Sequence, residues 1–191
     1  ILDGFFAYIL AFLAVVASAF SVASVLRLRS EEGAGRAESL LATGLSRLQW
    51  VLGSLAVTVL ATLMNLVLIG LGTGVTHAAL ANDWGVVGPL LGGILAQAPA
   101  VLAVAGVAVL IFGWLPRWVM VAWAVFGFVM LQAYLGGLLQ LPDAVSGVSP
   151  FWHLPAIPAE SFAVAPTLVV SLIALAVGAA GVAGIQRRDI G

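Results

Sequence analysis

Five long apolar stretches dominate the chain, at residues 4–26, 50–75, 86–112, 118–141 and 162–185. Each is long enough to cross a bilayer as a helix, because a hydrocarbon core of about 30 Å needs roughly 20 residues rising about 1.5 Å apiece. The apolar residues run on without alternation, which argues against barrel strands, and an open sheet would leave its backbone unsatisfied in lipid. Charge content agrees. Only 8% of the residues are charged, against about 25% in soluble domains, too few to build a water-solvated surface. The expected fold is an all-α membrane protein, one transmembrane domain over residues 1–191 with five transmembrane helices.

The basic residues orient it. Arg27, Arg29, Arg36 and Arg47 lie between the first two stretches, Arg117 between the third and fourth, and Arg187 and Arg188 after the fifth; there is no lysine. Five-span threading puts all of them on one face, and the segments 77–85 and 142–161 on the other face carry none. The positive-inside rule makes the arginine face cytoplasmic, with the amino terminus of this chain outside and the carboxyl terminus inside. A miscounted span would split the arginines between faces. Trp50, Trp84, Trp114, Trp118 and Trp152 fall near span ends, where amphipathic rings favour the interface. Pro99 should kink the third span by removing a backbone donor. Gly70/Gly74, Gly88/Gly92 and Ala176/Ala180/Gly184 have the four-residue spacing that lets helices approach closely.

Several kinds of chemistry have no residues to carry them. No span holds an acidic or basic side chain near its middle, where ion-coupled carriers place them. The polar residues there are hydroxyls and amides, of which Asn65, Gln97 and Gln132 are the candidates for lining a pathway. There is no cysteine, so thiolate metal sites are excluded, and no phosphate-binding loop, which would need a lysine. No nucleophile elbow or zinc-protease motif is present either. No cofactor, metal or nucleic acid is called for, and no catalytic residue is assigned. The string Glu31-Glu32-Gly33-Ala34-Gly35-Arg36 resembles the glutamate motif of CAAX-type intramembrane proteases. Those enzymes need histidines beside it, and His77 and His153 thread to the opposite face, about 30 Å away.

The one long charged segment is 27–49. Leu40, Leu41, Leu45 and Leu48 recur at helical spacing between Arg36, Glu38 and Arg47, as in a short helix lying on the membrane surface. Glu31 and Glu32 are expected near the start of that helix, where its dipole favours them. Ser46 and Gln49 have the spacing of a capping box that opens the second span.

This segment carries a family resemblance. The pattern E-E-x-x-x-R-x-E-x-L-L-A from Glu31 to Ala42, followed by Ser46-Arg47, resembles the intracellular coupling segment of ABC-exporter permeases, in particular the actinobacterial polyketide-antibiotic and multidrug type. Ser149-Pro150-Phe151-Trp152-His153-Leu154-Pro155 and Gln186-Arg187-Arg188-Asp189-Ile190-Gly191 are similar to two further stretches of that family, in its order and on its sides of the membrane. The resemblance implies a permease subunit exporting lipophilic, antibiotic-like molecules across the bacterial cytoplasmic membrane. A separate ABC ATPase would supply the energy, and a second permease half would complete the pathway within membrane lipid. It assigns ATPase coupling to Glu31, Glu32, Gly35, Arg36, Glu38, Leu40, Leu41 and Arg47. Family units have six spans, so five here, with an Ile1 start, are expected to be the last five of a carboxyl-terminal piece. The rival readings are a membrane scaffold without a transport path and an ion-coupled carrier.

Overall fold

The computed structural model describes residues 2–33 and 46–187. In chain order the helices are α1 (Leu2–Gly33), α2 (Arg47–Ala81), α3 (Val87–Ala96), α4 (Ala98–Trp114), α5 (Val121–Leu139), α6 (Asp143–Ser146) and α7 (Val164–Arg187). Single 3-10 turns lie at Trp84–Val86, Pro116–Trp118 and Pro150–His153. No strand occurs among the described residues. Among the described residues four helices are long and apolar enough to cross a membrane: α1, α2, α7, and α3 with α4 as one broken helix; α5 is a shorter apolar helix. Large apolar side chains such as Leu60, Leu172 and Leu175 stand about two-thirds exposed on the outer faces. Water would not tolerate so continuous an apolar exterior. The protein is a multi-pass membrane protein.

The arginine-bearing helix ends meet. Leu28 near the end of α1, Trp50 near the start of α2, Phe112 near the end of α4 and Ile185 near the end of α7 are buried in one cluster, with Val119 packed on it just before α5. Arg27, Arg29, Arg47, Arg117 and Arg187 are their close neighbours in the chain. Successive long helices therefore alternate in direction. At the other end Phe6 of α1 meets His77 of α2 edge-on, with ring centroids 4.7 Å apart. α1 is central, packing on α2, α3, α4 and α5, while α4 and α7 share the most extensive helix pair.

Three local features differ from expectation. α1 is described as far as Gly33, past the expected end at Leu26, because no helix breaker stands between them. Glu31 and Glu32 thus belong to α1, and the surface helix expected after them lies outside the described residues. α2 extends to Ala81, which makes His77 helical rather than part of a loop; Asn82 then turns left-handed (φ 54) and donates its N–H to the Ala78 carbonyl. Trp50 is buried at 8% exposure instead of sitting at an interface, whereas Trp84, Trp114, Trp118 and Trp152 are exposed. The capping box is as expected. Gln49 N–H donates to Ser46 Oγ at 3.2 Å, and Ser46 N–H donates to Gln49 Oε1 at 3.0 Å.

The proline-containing helix breaks at Gln97. Pro99 has no N–H for the Leu95 carbonyl and its ring would crowd that oxygen. The Gln97 N–H turns back to Ile94 and Leu95 instead, and α4 begins afresh at Ala98. The segment 142–161 folds into the notch. Gln97 Nε2 donates to the Pro155 carbonyl at 3.2 Å. A side chain on Gly93 would lie 2.8 Å from the Ile157 carbonyl oxygen, so glycine is what admits the segment here. Phe151 packs against all three buried clusters. Gln97 lies near the middle of the helix running from Trp84 to Trp114. Irregular backbone at such depth is tolerated only where protein surrounds it.

Candidate functional site

The segment 27–49, expected from sequence to couple to an ATPase, begins on α1 and ends on α2. The Ser46 cap starts α2 at its far end. Glu31 and Glu32 are half-buried on α1, and Arg47 is the first residue of α2. Gly35, Arg36, Glu38, Leu40 and Leu41 lie outside the described residues. Arg27 and Glu31 line a cavity of about 460 Å³ that also takes in Gln49, Trp50, Ser54 and Thr58. Deeper in the seam between α1 and α2, Ser21 Oγ and Thr62 Oγ1 are 2.9 Å apart and buried. Thr62 gives its one hydroxyl proton to the Thr58 carbonyl at 2.7 Å, so Ser21 is the donor between helices. A bond of this kind contributes about 0.6–1 kcal/mol in a membrane bundle.

The three candidate pathway residues do not converge. Asn65 is half-buried on α2. Gln97 sits in the notch, 4% exposed, with its Nε2 committed to Pro155 and its Oε1 buried without a partner among the described residues. Gln132 on α5 faces a cavity of about 350 Å³ between α1, α5 and the segment 142–161. That segment supplies Ser146, Phe151 and Trp152 to the cavity wall. None of Ser146, Phe151 and Trp152 is assigned to a site from sequence; the S-P-F-W-H-L-P string contains the last two, and nothing in the sequence points to Ser146.

A third cavity, of about 530 Å³, opens between α2, α4 and α7 and is almost wholly apolar. Its two hydroxyls are turned back on their own helices, Thr58 to the Ser54 carbonyl at 3.0 Å and Ser171 to the Thr167 carbonyl at 2.7 Å. No charged side chain lines either this groove or the Gln132 cavity.

Residues 1–186 match the profile of the C-terminal domain of the multidrug efflux system permease Rv1217c. The chain belongs to that family. It is 34% identical over 190 residues to the multidrug efflux system permease protein Rv1217c of Mycobacterium tuberculosis (strain ATCC 25618 / H37Rv), a match that covers 98% of this chain and 34% of the relative. The chain thus spans about a third of the relative's length. The ABC-exporter permease family expected from the three motif stretches is the family found.

Proposed function

We propose that this chain is transmembrane machinery of an ATP-driven ABC exporter that moves lipophilic, drug-like molecules outward across the bacterial cytoplasmic membrane. The observation that carries the reading is the match of nearly the whole chain to the C-terminal domain of a multidrug efflux permease. The cavities support it, being walled by apolar groups with a few hydroxyls and amides and suited to lipophilic cargo.

In this reading α5 also crosses the membrane, as the fourth of five spans, since its 19 residues reach roughly 28 Å at about 1.5 Å each. The five are the last of a six-span unit. The convergent arginine ends face the cytoplasm, the amino terminus of the chain lies outside, and the segment 142–161 closes the outer side. A separate ATPase docks beneath the segment 27–49, and a second permease half completes the assembly. Glu31, Glu32, Arg36, Glu38 and Arg47 supply charged contacts and register, Gly35 permits close approach, and Leu40 and Leu41 hold the segment to the spans. ATPase closure pushes on the seam between α1 and α2, and the helices switch between two packings.

Reversing charge at both Glu32 and Arg36 is expected to cut ATP turnover of the purified permease–ATPase complex about tenfold, since attraction becomes repulsion at two interfacial positions. Turnover and assembly equal to those of the unaltered complex would sink the docking assignment.

A further inference from the structure

The cavity between α1, α5 and the segment 142–161 contains two polar side chains that the fold buries and leaves unpaired. Gln132 is 8% exposed and Ser146 is 4% exposed. Neither side chain has a hydrogen-bond partner among the described residues. Nor are their polar atoms sealed off, a condition confined among the described residues to Gln97 Oε1 and Ser149 Oγ. Both residues line the cavity. Burying an amide and a hydroxyl without partners costs about 1–3 kcal/mol each, so such groups ordinarily have something to bind.

The rest of the wall indicates what that something is. Tyr8, Phe12, Phe151 and Trp152 surround the same space. Aromatic faces bury flat apolar molecules, and no acidic or basic side chain lines the cavity to hold an ion. The volume of about 350 Å³ falls within the range of roughly 300–1,000 Å³ usual for small-molecule sites. The rim is strained. Gln140, which also lines the cavity, holds a left-handed backbone (φ 44), a conformation that costs a residue with a side chain about 1–2 kcal/mol.

We propose that this cavity binds an uncharged, aromatic small molecule carrying a hydrogen-bond acceptor, with the Gln132 amide and the Ser146 hydroxyl donating to it. The proposal rests on the permease reading and deepens it by naming the substrate class and the place. Three of the wall residues, Ser146, Phe151 and Trp152, belong to the inserted segment. A ligand here therefore touches the segment directly, and its arrival and release are tied to where that segment sits.

Nile red, a neutral planar dye with a carbonyl acceptor, serves as the probe for the purified permease in lipid nanodiscs. Saturable binding is expected, weakened about five- to tenfold by Gln132→Leu, as for the loss of one or two neutral hydrogen bonds. Ser146→Ala should weaken it less. Gly136→Leu should abolish it by filling the cavity; the nearest atom to a side chain there is Gln132 Cγ at 3.8 Å, so the backbone has room. Thermal melts of the three variants are compared with the parent, and Ser146→Ala, the mildest, is decisive where the others melt early. Absence of saturable binding by the parent, or equal affinity in all variants, overturns the site. Dye export by the reconstituted complex is measured in parallel. Binding that depends on Gln132 without any ATP-driven export keeps the site and removes the permease reading. Export with binding indifferent to all three substitutions keeps the permease and removes the site.

Discussion

Gly181→Val is expected to abolish recovery of folded protein, because α4 and α7 meet there backbone to backbone. A Cβ on Gly181 would lie 2.6 Å from both the Leu110 nitrogen and the Val109 carbonyl carbon. On the facing helix, a Cβ on Gly113 would fall on the Gly181 carbonyl oxygen. Neither obstacle is a side chain that could rotate away, so the helices must separate. The contact is the backbone of the largest helix pair in the protein, and Trp114 Nε1 donates to the Ala180 carbonyl at 2.8 Å beside it. Overpacking ordinarily costs about 1–3 kcal/mol, and rigid backbone on both sides places this case at or beyond the upper end. Gly127→Ala on α5 is the matched control. Nothing lies within 4 Å of its would-be Cβ, so it should be neutral or gain about 0.5–1 kcal/mol of helix propensity. Thermal unfolding of detergent-solubilised protein reads both. A Gly181→Val variant that melts with the parent would mean that α4 and α7 are not in this contact.

The same pair of helices marks where sequence was legible and where it was not. Gly184 was recognisable from its four-residue spacing with Ala176 and Ala180, and its would-be Cβ lies 2.5 Å from Trp114 Nε1. Gly70 and Gly74 likewise face α3, through Ile94, Leu91 and Val87. Yet Gly88 and Gly92, with the same spacing, have nothing within 4 Å, while Gly106 and Gly113, seven apart, lie against α7. Spacing states which residues share a helix face; it does not state which face meets a neighbour. The helical class, the alternating directions and the Ser46 cap were readable because each depends on local patterning or on where arginines stand. The break at Gln97 was readable to within two residues, since Pro99 removes a specific donor. The Gln132 cavity was readable only as one amide. Its other walls come from α1 and from the segment 142–161, and nothing local in either says that they meet. α1 runs on past the apolar stretch that marked it in the sequence, because helix continuation depends on breakers and none stands between Leu26 and Gly33.

Phe151→Ala should release the inserted segment while leaving the long helices in place. Among the described residues the ring is the one side chain packed against all three buried clusters, so its removal opens a void where they converge. A buried Phe→Ala change costs about 3–5 kcal/mol in water-soluble cores. Here Phe151 is only partly buried, and transfer to lipid replaces transfer to water, so the loss should fall near or below the lower figure. What remains to hold the segment is Leu154, buried with Ala100 and Val170, and a few hydrogen bonds. Gln97 donates one bond to Pro155, His153 Nε2 contacts the Gly147 carbonyl at 2.8 Å, and Ala156 N–H donates to Glu160 Oε2 at 3.0 Å. The last two lie within the segment itself and do not tether it to the helices. The absence of cysteine from the chain makes the movement measurable. A single cysteine at Leu154, 8% exposed in the unaltered protein, should react slowly with a membrane-impermeant maleimide. In the Phe151→Ala background labelling should quicken at least about tenfold, the change expected when local opening becomes easier by about 1.4 kcal/mol. Circular dichroism should keep its helical signal throughout. Equal labelling rates in the two backgrounds would show that Gln97 and the Gly93 gap, rather than the aromatic ring, hold the segment among the helices.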